Sequence, residues 1–301
     1  MSILVPANRL SEYLEMFNGF KYLYNVIQGS MKDQLGFAYV DSLENPSIIA
    51  YSILETVYMV TGNINPEKFK ELTSDIPLPA YYFFRNDNAV LSLVQSYNYI
   101  LPRERVTFSS KDLDKNHLET FIFDLEENFS LEKIDLETGK NIRSPCYPEE
   151  NKEKYILESI GYCIKDDGKI TGYAVATKAF NFEIDVMILP DYRKKGFASM
   201  LCAKLIIHCL NEGIYPHWDA DNPPSVGLAK KLGFTDPEPY NTYLVFPEKP
   251  VKEDEERWNF NKIILAKILL KNYLEKQTDP SITAIDNLIS DYIKLNPSLR
   301  I

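Results

Sequence analysis

Hydrophobic and polar positions change period along the chain, most clearly in its second half. Ser159–Ile164, Ile170–Thr177 and Phe182–Leu189 are apolar or alternating runs, and Asp166-Asp167-Gly168 is a turn sequence between the first two. They predict three successive strands in a meander. From residue 195 to 211 the period lengthens: Leu201, Leu205 and His208/Cys209 recur at spacings of three and four, with Gly213 just beyond. This predicts a helix. A strand over Tyr215–Asp219 follows. A second helix is opened by Asn222 or Ser225 and ends at Leu232-Gly233-Phe234, and a strand over Thr242–Phe246 closes the order.

The first half mixes both periods. Gly36–Asp41 and Ile48–Ile53 flank the turn Asn45-Pro46 and read as strands, while Asn65-Pro66 starts a helix with Pro in its first turn. Tyr81–Phe84 and Val106–Phe108 add strands, with a helix near Ala89–Tyr97. The polar stretch Asp135–Pro145 carries Gly and Pro without periodicity and reads as a boundary. Beyond the charged connector 252–257, helical segments at about Glu256–Glu275 and Ser281–Lys294 form either a hairpin packed on its own chain or a homodimer contact. The expected fold class is α/β with a mixed sheet. The expected domains are 1–140, 141–250 and a helical extension, 251–301.

Composition narrows the function classes. With 33 Lys and Arg against 43 Asp and Glu, the net charge is −10. That argues against a broad nucleic-acid or anionic-membrane surface. No apolar run nears the roughly 20 residues needed to span a bilayer, and Met1–Pro6 lacks a basic segment leading into an apolar one. The expected location is cytoplasmic. Cys146, Cys163, Cys202 and Cys209 lack paired spacing and read as reduced thiols, and His117, His208 and His217 are too scattered to imply a metal.

Candidate chemistry centres on Arg193-Lys194-Lys195-Gly196-Phe197-Ala198, between a predicted strand and a predicted helix. Backbone N–H groups at a helix N-terminus form an anion site, and Gly196 and Ala198 keep the approach open. The loop suits a pyrophosphate.

With Trp218-Asp-Ala-Asp-Asn222-Pro-Pro-Ser225 and Leu232-Gly233-Phe234 one strand downstream, residues 182–246 resemble the GNAT superfamily of N-acetyltransferases. The family signature is a strand, an Arg/Gln-x-x-Gly-x-Gly/Ala loop, a helix, a strand, then Asn and Leu-Gly-Phe. The Trp218–Ser225 form and the 36–46 region look like the zwittermicin A resistance branch, in which the N-terminal half is a degenerate acetyltransferase lobe lacking the loop. The resemblance implies acetyl-CoA as cosubstrate and a small-molecule amine as acceptor. It places pyrophosphate on Arg193, Lys194, Lys195, Gly196, Phe197, Ala198 and Ser199, pantetheine along Val186, Met187 and Ile188, and Asn222 on the cofactor arm. A plain helix cap is the other role open to Asn222.

An acceptor amine must shed a proton before attacking a thioester. Glu183 and Asp185 alternate with Phe182, Ile184 and Val186, so both carboxylates project to one face of the strand. They are the candidate bases, or else part of a solvated strand face. A backbone N–H at a bulge in this strand is the candidate oxyanion donor. Where the family often has a Tyr to protonate the departing thiolate, this chain has Ala229. Tyr240 and Tyr243 are the substitutes considered. Two readings follow: an active N-acetyltransferase, or a catalytically silent acyl-CoA-binding or interaction protein.

Overall fold

The computed structural model describes residues 2–246 except 21–22, 55, 86–88, 90–91, 94–95, 98–99, 148 and 150. The helical segments expected beyond residue 251, and any dimer contact through them, lie outside the described residues. In chain order the strands are β1 (Ile3–Val5), β2 (Phe37–Val40), β3 (Ile48–Leu54), β4 (Val57–Gly62), β5 (Ala80–Phe84), β6 (Ile100–Ser109), β7 (Phe129–Lys133), β8 (Ser159–Asp166), β9 (Lys169–Thr177), β10 (Ile184–Ile188), β11 (Trp218–Ala220) and β12 (Thr235–Val245). The helices are α1 (Tyr24–Lys32), α2 (Pro66–Thr73), α3 (Lys115–Glu119), α4 (Leu136–Lys140), α5 (Lys152–Leu157), α6 (Phe197–Asn211) and α7 (Pro223–Leu232). These elements form two compact units, one of residues 2–20, 34–103 and 241–246 and one of residues 23–33 and 104–240.

In the first unit β1 through β4 pair antiparallel in sequence order, β5 joins β4 in parallel, and Tyr243–Val245 of β12 pairs antiparallel with β5. The connection from β4 to β5 is α2. Asn65 caps it by accepting from the Lys68 N–H at 2.9 Å, and Pro66 occupies its first position, as the Asn-Pro signal predicts. This β-α-β crossover is fully zipped, with parallel pairs from Val57↔Tyr81 to Val60↔Phe84. Its core is aromatic: Phe69 of α2 meets the Tyr82 ring edge-on at 5.5 Å, and Tyr58 stacks on Tyr82 at 5.9 Å. The 3-10 helix Ala7–Phe17 was not expected, although Leu10, Tyr13 and Phe17 are buried at spacings of three and four.

In the second unit β7, β8, β9 and β10 form an antiparallel sheet in the order β10-β9-β8-β7, the predicted meander extended by β7. The stretch 135–145, expected as an irregular connector, instead contains α4. Asp135 caps that helix by accepting from the Thr138 N–H at 2.8 Å, and Gly139 lies so close to Ile156 that no side chain fits between them. Here the cap outweighs the poor helix propensity of Gly. The last strand begins at Thr235 rather than near Thr242, with Pro237 and Pro239 inside it.

Helix α6 packs on β8, β9 and β10. The expected stripe Leu201, Leu205 and Cys209 is fully buried, and so are Cys202, Ala203 and Ile206, so the helix is apolar around most of its girth. Four buried cysteines remain as free thiols. Leu201→Ala removes a fully enclosed side chain from this centre, and we expect it to cost about 2–5 kcal/mol, read as a lowered urea midpoint with unchanged slope.

Candidate active site

Strands β10 and β11 touch once and then part. Glu183 and His217 form a single parallel bridge, closed by Ile184 N–H to the His217 carbonyl at 3.0 Å and His217 N–H to the Phe182 carbonyl at 3.1 Å. Beyond it, among the described residues, β10 pairs only with β9, and β11 pairs with β6 through Trp218↔Phe108 to Ala220↔Val106. Peptide groups alternate sides along a strand. The N–H groups of Val186 and Ile188 therefore point the way Ile184 points, to the side that β11 has left, whereas Leu189 donates to Thr171 on the β9 side at 2.9 Å.

The expected bulge in this strand is absent. β10 and β9 keep unbroken register from Ile184↔Ala176 to Ile188↔Gly172, and the backbone irregularity lies just upstream, where Asn181 and Phe182 have φ of 50° and 56°. The open edge comes from the departure of β11 and not from an inserted residue.

At the end of β10 the chain makes a 3-10 turn, Pro190–Tyr192, and swings into α6. Lys194 and Gly196 hold φ of 65° and 84°, a left-handed geometry that glycine adopts without a Cβ penalty. A Cβ on Gly196 would also sit 3.2 Å from the Phe123 ring. The first bond of the helix is Met200 N–H to the Gly196 carbonyl at 3.0 Å, so the N–H groups of Phe197, Ala198 and Ser199 have no intrahelical acceptor. Arg193 donates from Nε to the Ile188 carbonyl at 3.2 Å, tying the loop to β10.

The lysines differ in position. Lys195 lies over the rings of Phe129 and Tyr192, at 5.1 and 5.8 Å from their centroids. Lys231, from α7, donates to Ser199 Oγ at 3.1 Å. A cation held in the first turn of a helix opposes the macrodipole, so this corner carries an excess of positive field. Asn222 caps α7, accepting from the Ser225 N–H at 2.9 Å while its amide donates to Asp221. Ala229 is fully buried in the core around α6.

The structure brings Glu183, Asp185 and Tyr240 into one polar region of the second unit and does not bring Tyr243 there. Tyr243 is fully buried in the aromatic core of the first unit, against Phe84 at 5.7 Å. The Asp185 carboxylate accepts from Ser144 Oγ at 2.7 Å and Tyr173 Oη at 3.2 Å. Burial pushes it above its ordinary value against the pull of those two donors. Tyr240 donates to Asp219, and burial beside that carboxylate drives the phenol well above its usual value. A phenol so held is a poor donor to a departing thiolate.

Residues not singled out as site candidates from the sequence complete the region. Asp219, with its side chain 1% exposed, pairs with Arg105 Nε at 3.2 Å. Burial raises Asp219 to about 6 despite that cation. His217 has Nδ1 3.5 Å from Glu183 Oε2 and Nε2 3.1 Å from Thr107 Oγ1. Burial alone would depress this imidazole, but the Glu183 carboxylate, and then Asp219, hold it above its ordinary value. No local pattern announces Arg105 and Asp219, which stand 114 residues apart. His217 could have been found, since it lies in the middle of the predicted strand Tyr215–Asp219 after the loop helix.

The family model for GNAT acetyltransferases matches residues 14–243. A Bacillus subtilis protein described as the uncharacterized N-acetyltransferase YdfB is 40% identical over 63 residues, which is 20% of this chain and 24% of that protein. The match therefore spans about a quarter of the relative's length. Among solved structures, a GCN5-related N-acetyltransferase-like protein from Streptococcus suis superposes with TM-score 0.65 at 22% identity, covering 80% of this chain and all of that one. A Drosophila protein superposes with TM-score 0.53 at 14% identity, covering 82% of this chain and 99% of that one. At these identities the likeness is one of fold: mixed α/β, with a large mixed sheet and several helices. Among the described residues no helix is long and apolar enough to cross a membrane, and no group of three or more His, Cys, Asp or Glu is arranged to hold a metal.

Arg105→Ala strands the Asp219 carboxylate in a buried setting. We expect a loss of about 3 kcal/mol by urea denaturation, largely recovered in Arg105→Ala/Asp219→Asn.

Proposed function

Because the chain belongs to the GNAT acetyltransferase family, we propose that it moves the acetyl group of acetyl-CoA to a primary amine on a small molecule, by direct attack of the amine on the thioester. The observation that carries this reading is the parting of β10 from β11 beside a helix N-terminus whose N–H groups are free. Acetyl-CoA is long, with amides in its pantetheine arm and a pyrophosphate further along, and it needs both features at once.

The residues fit that shape. Phe197, Ala198 and Ser199 offer N–H groups to the pyrophosphate across Gly196, where a Cβ would intrude. Val186 and Ile188 offer outward N–H groups to the pantetheine amides, and the Val186 N–H is the oxyanion donor we assign. Lys231 and Lys194 add positive charge, while Arg193 fixes the loop. Asn222 serves first as the cap of α7 and sits at the edge of the arm.

The bound thioester supplies an activated carbonyl and a sulfur leaving group. For deprotonation we assign Glu183, part-buried at the bridge where the strands part. Asp185 is tied to Ser144 and Tyr173 and shapes the pocket. No tyrosine is assigned as the acid. Buried Ala229, Tyr243 in the other core and Tyr240 committed to Asp219 favour departure of CoA as the thiolate. The same three observations motivate the second reading, an acyl-CoA-binding protein without turnover. We also propose that the first unit, which takes in residues 2–20 and 34–103 of the expected domain 1–140, is a degenerate lobe, since the zipped β4-α2-β5 crossover leaves no gap like that beside β10. The Trp218–Ser225 sequence supports the zwittermicin A resistance branch.

Calorimetry with acetyl-CoA tests the site. The wild type binds, and Gly196→Asp, which puts a carboxylate and a Cβ where the pyrophosphate belongs, lowers binding below detection. Unchanged binding in that variant contradicts the assignment. Release of CoA thiol with a panel of primary amines separates turnover from silent binding.

A further inference from the structure

His217 is more than a bridge residue. Thr107 Oγ1 lies 3.4 Å from the Trp218 carbonyl, within reach of its hydroxyl hydrogen. In the Nε2–H tautomer the same oxygen accepts from His217 Nε2–H at 3.1 Å. In that neutral ring Nδ1 carries a lone pair, and that lone pair faces the Glu183 carboxylate at 3.5 Å. Nδ1 is buried and has no aligned hydrogen-bond partner among the described residues. Two facing lone pairs repel, and a single proton added between them turns repulsion into an ion pair.

The other carboxylates are committed elsewhere. Asp219, reaching from β11, is satisfied by Arg105 of β6 and Tyr240 of β12, and Asp185, two residues along from Glu183, is satisfied by Ser144 and Tyr173. Asp219 nonetheless adds negative potential at the imidazole.

We propose that Glu183 and His217 act as one proton-holding unit in the acetyl transfer proposed above, on which this inference rests: Glu183 takes the proton of the acceptor ammonium, and His217 shares it through Nδ1. His217 is a positioning residue, since it works through Glu183. The acceptor enters as R–NH3+ and gives one proton to the unit. Its freed lone pair forms the C–N bond, the C–S bond breaks with its electron pair on sulfur, and a second nitrogen proton goes to the thiolate. The products are the acetamide and CoA thiol, and the unit returns its proton to water.

The unit must be proton-free to act, so kcat/KM rises with pH through the His217 midpoint. That midpoint lies above the ordinary imidazole value because of Glu183 and Asp219. Two measurements on the full chain test this. In His217→Gln, whose amide keeps a donor toward Thr107 but holds no proton, the acid limb of kcat/KM for the best primary amine of the panel moves down by about one pH unit or more. With only three histidines in the chain, imidazole NMR titration resolves His217, and its midpoint falls in Glu183→Gln. An acid limb that stays in place, or a His217 midpoint indifferent to Glu183→Gln, overturns the unit while leaving acetyl transfer standing. Absence of acetyl-CoA binding, or of turnover with every amine, overturns the transfer reading and the unit with it.

Discussion

The parting of β10 from β11 after one bridge is the constraint on which the site depends. A parallel pair that stayed zipped would consume the outward N–H groups of Val186 and Ile188 within the sheet. Parted, the strand offers them to a ligand, and its end leads directly into the loop before α6. The partners that β11 finds instead, Val106 to Phe108 of β6, hold the gap open. The bridge itself brings Glu183 and His217 side by side at the vertex. One topological event thus leaves an open strand edge and sets Glu183 beside His217.

The first unit shows the alternative state of the same motif. There β4, α2 and β5 also make a β-α-β crossover, but its parallel ladder is complete. The turn after β4 is closed by Asn65, whose side chain fills the helix cap where Gly196 in the second unit leaves N–H groups bare. Aromatic packing of Phe69 on Tyr82 fills the interior. Sequence chemistry at the helix start, a capping side chain against a left-handed glycine, separates a crossover whose first N–H groups are capped from one whose first N–H groups stay bare.

Most of the second unit was legible in the sequence because period and punctuation agree there. The strand-loop-helix of 182–211 is marked by alternation, then Gly196, then a spacing of three and four. The regular sheet register contradicted the expected bulge, for no residue pattern distinguishes a bulged edge from an edge whose neighbour has left. Tyr243 looked available because it is a tyrosine near the motif, yet its strand position turns it into an aromatic core. Arg105 and Asp219 were invisible as a pair, since only the pairing of β6 with β11 brings them together. Capping also misled: Asp135 makes a helix of a stretch whose Gly and Pro suggested a break.

Hydrogen exchange measured with and without acetyl-CoA bears most directly on the central claim. The account predicts slowed exchange at the amides of Val186, Ile188 and Phe197–Ser199, with no change across β4, α2 and β5, which serve as an internal control of the same topology. Protection confined to the first unit, or absent from the edge of β10 and the start of α6, would contradict it.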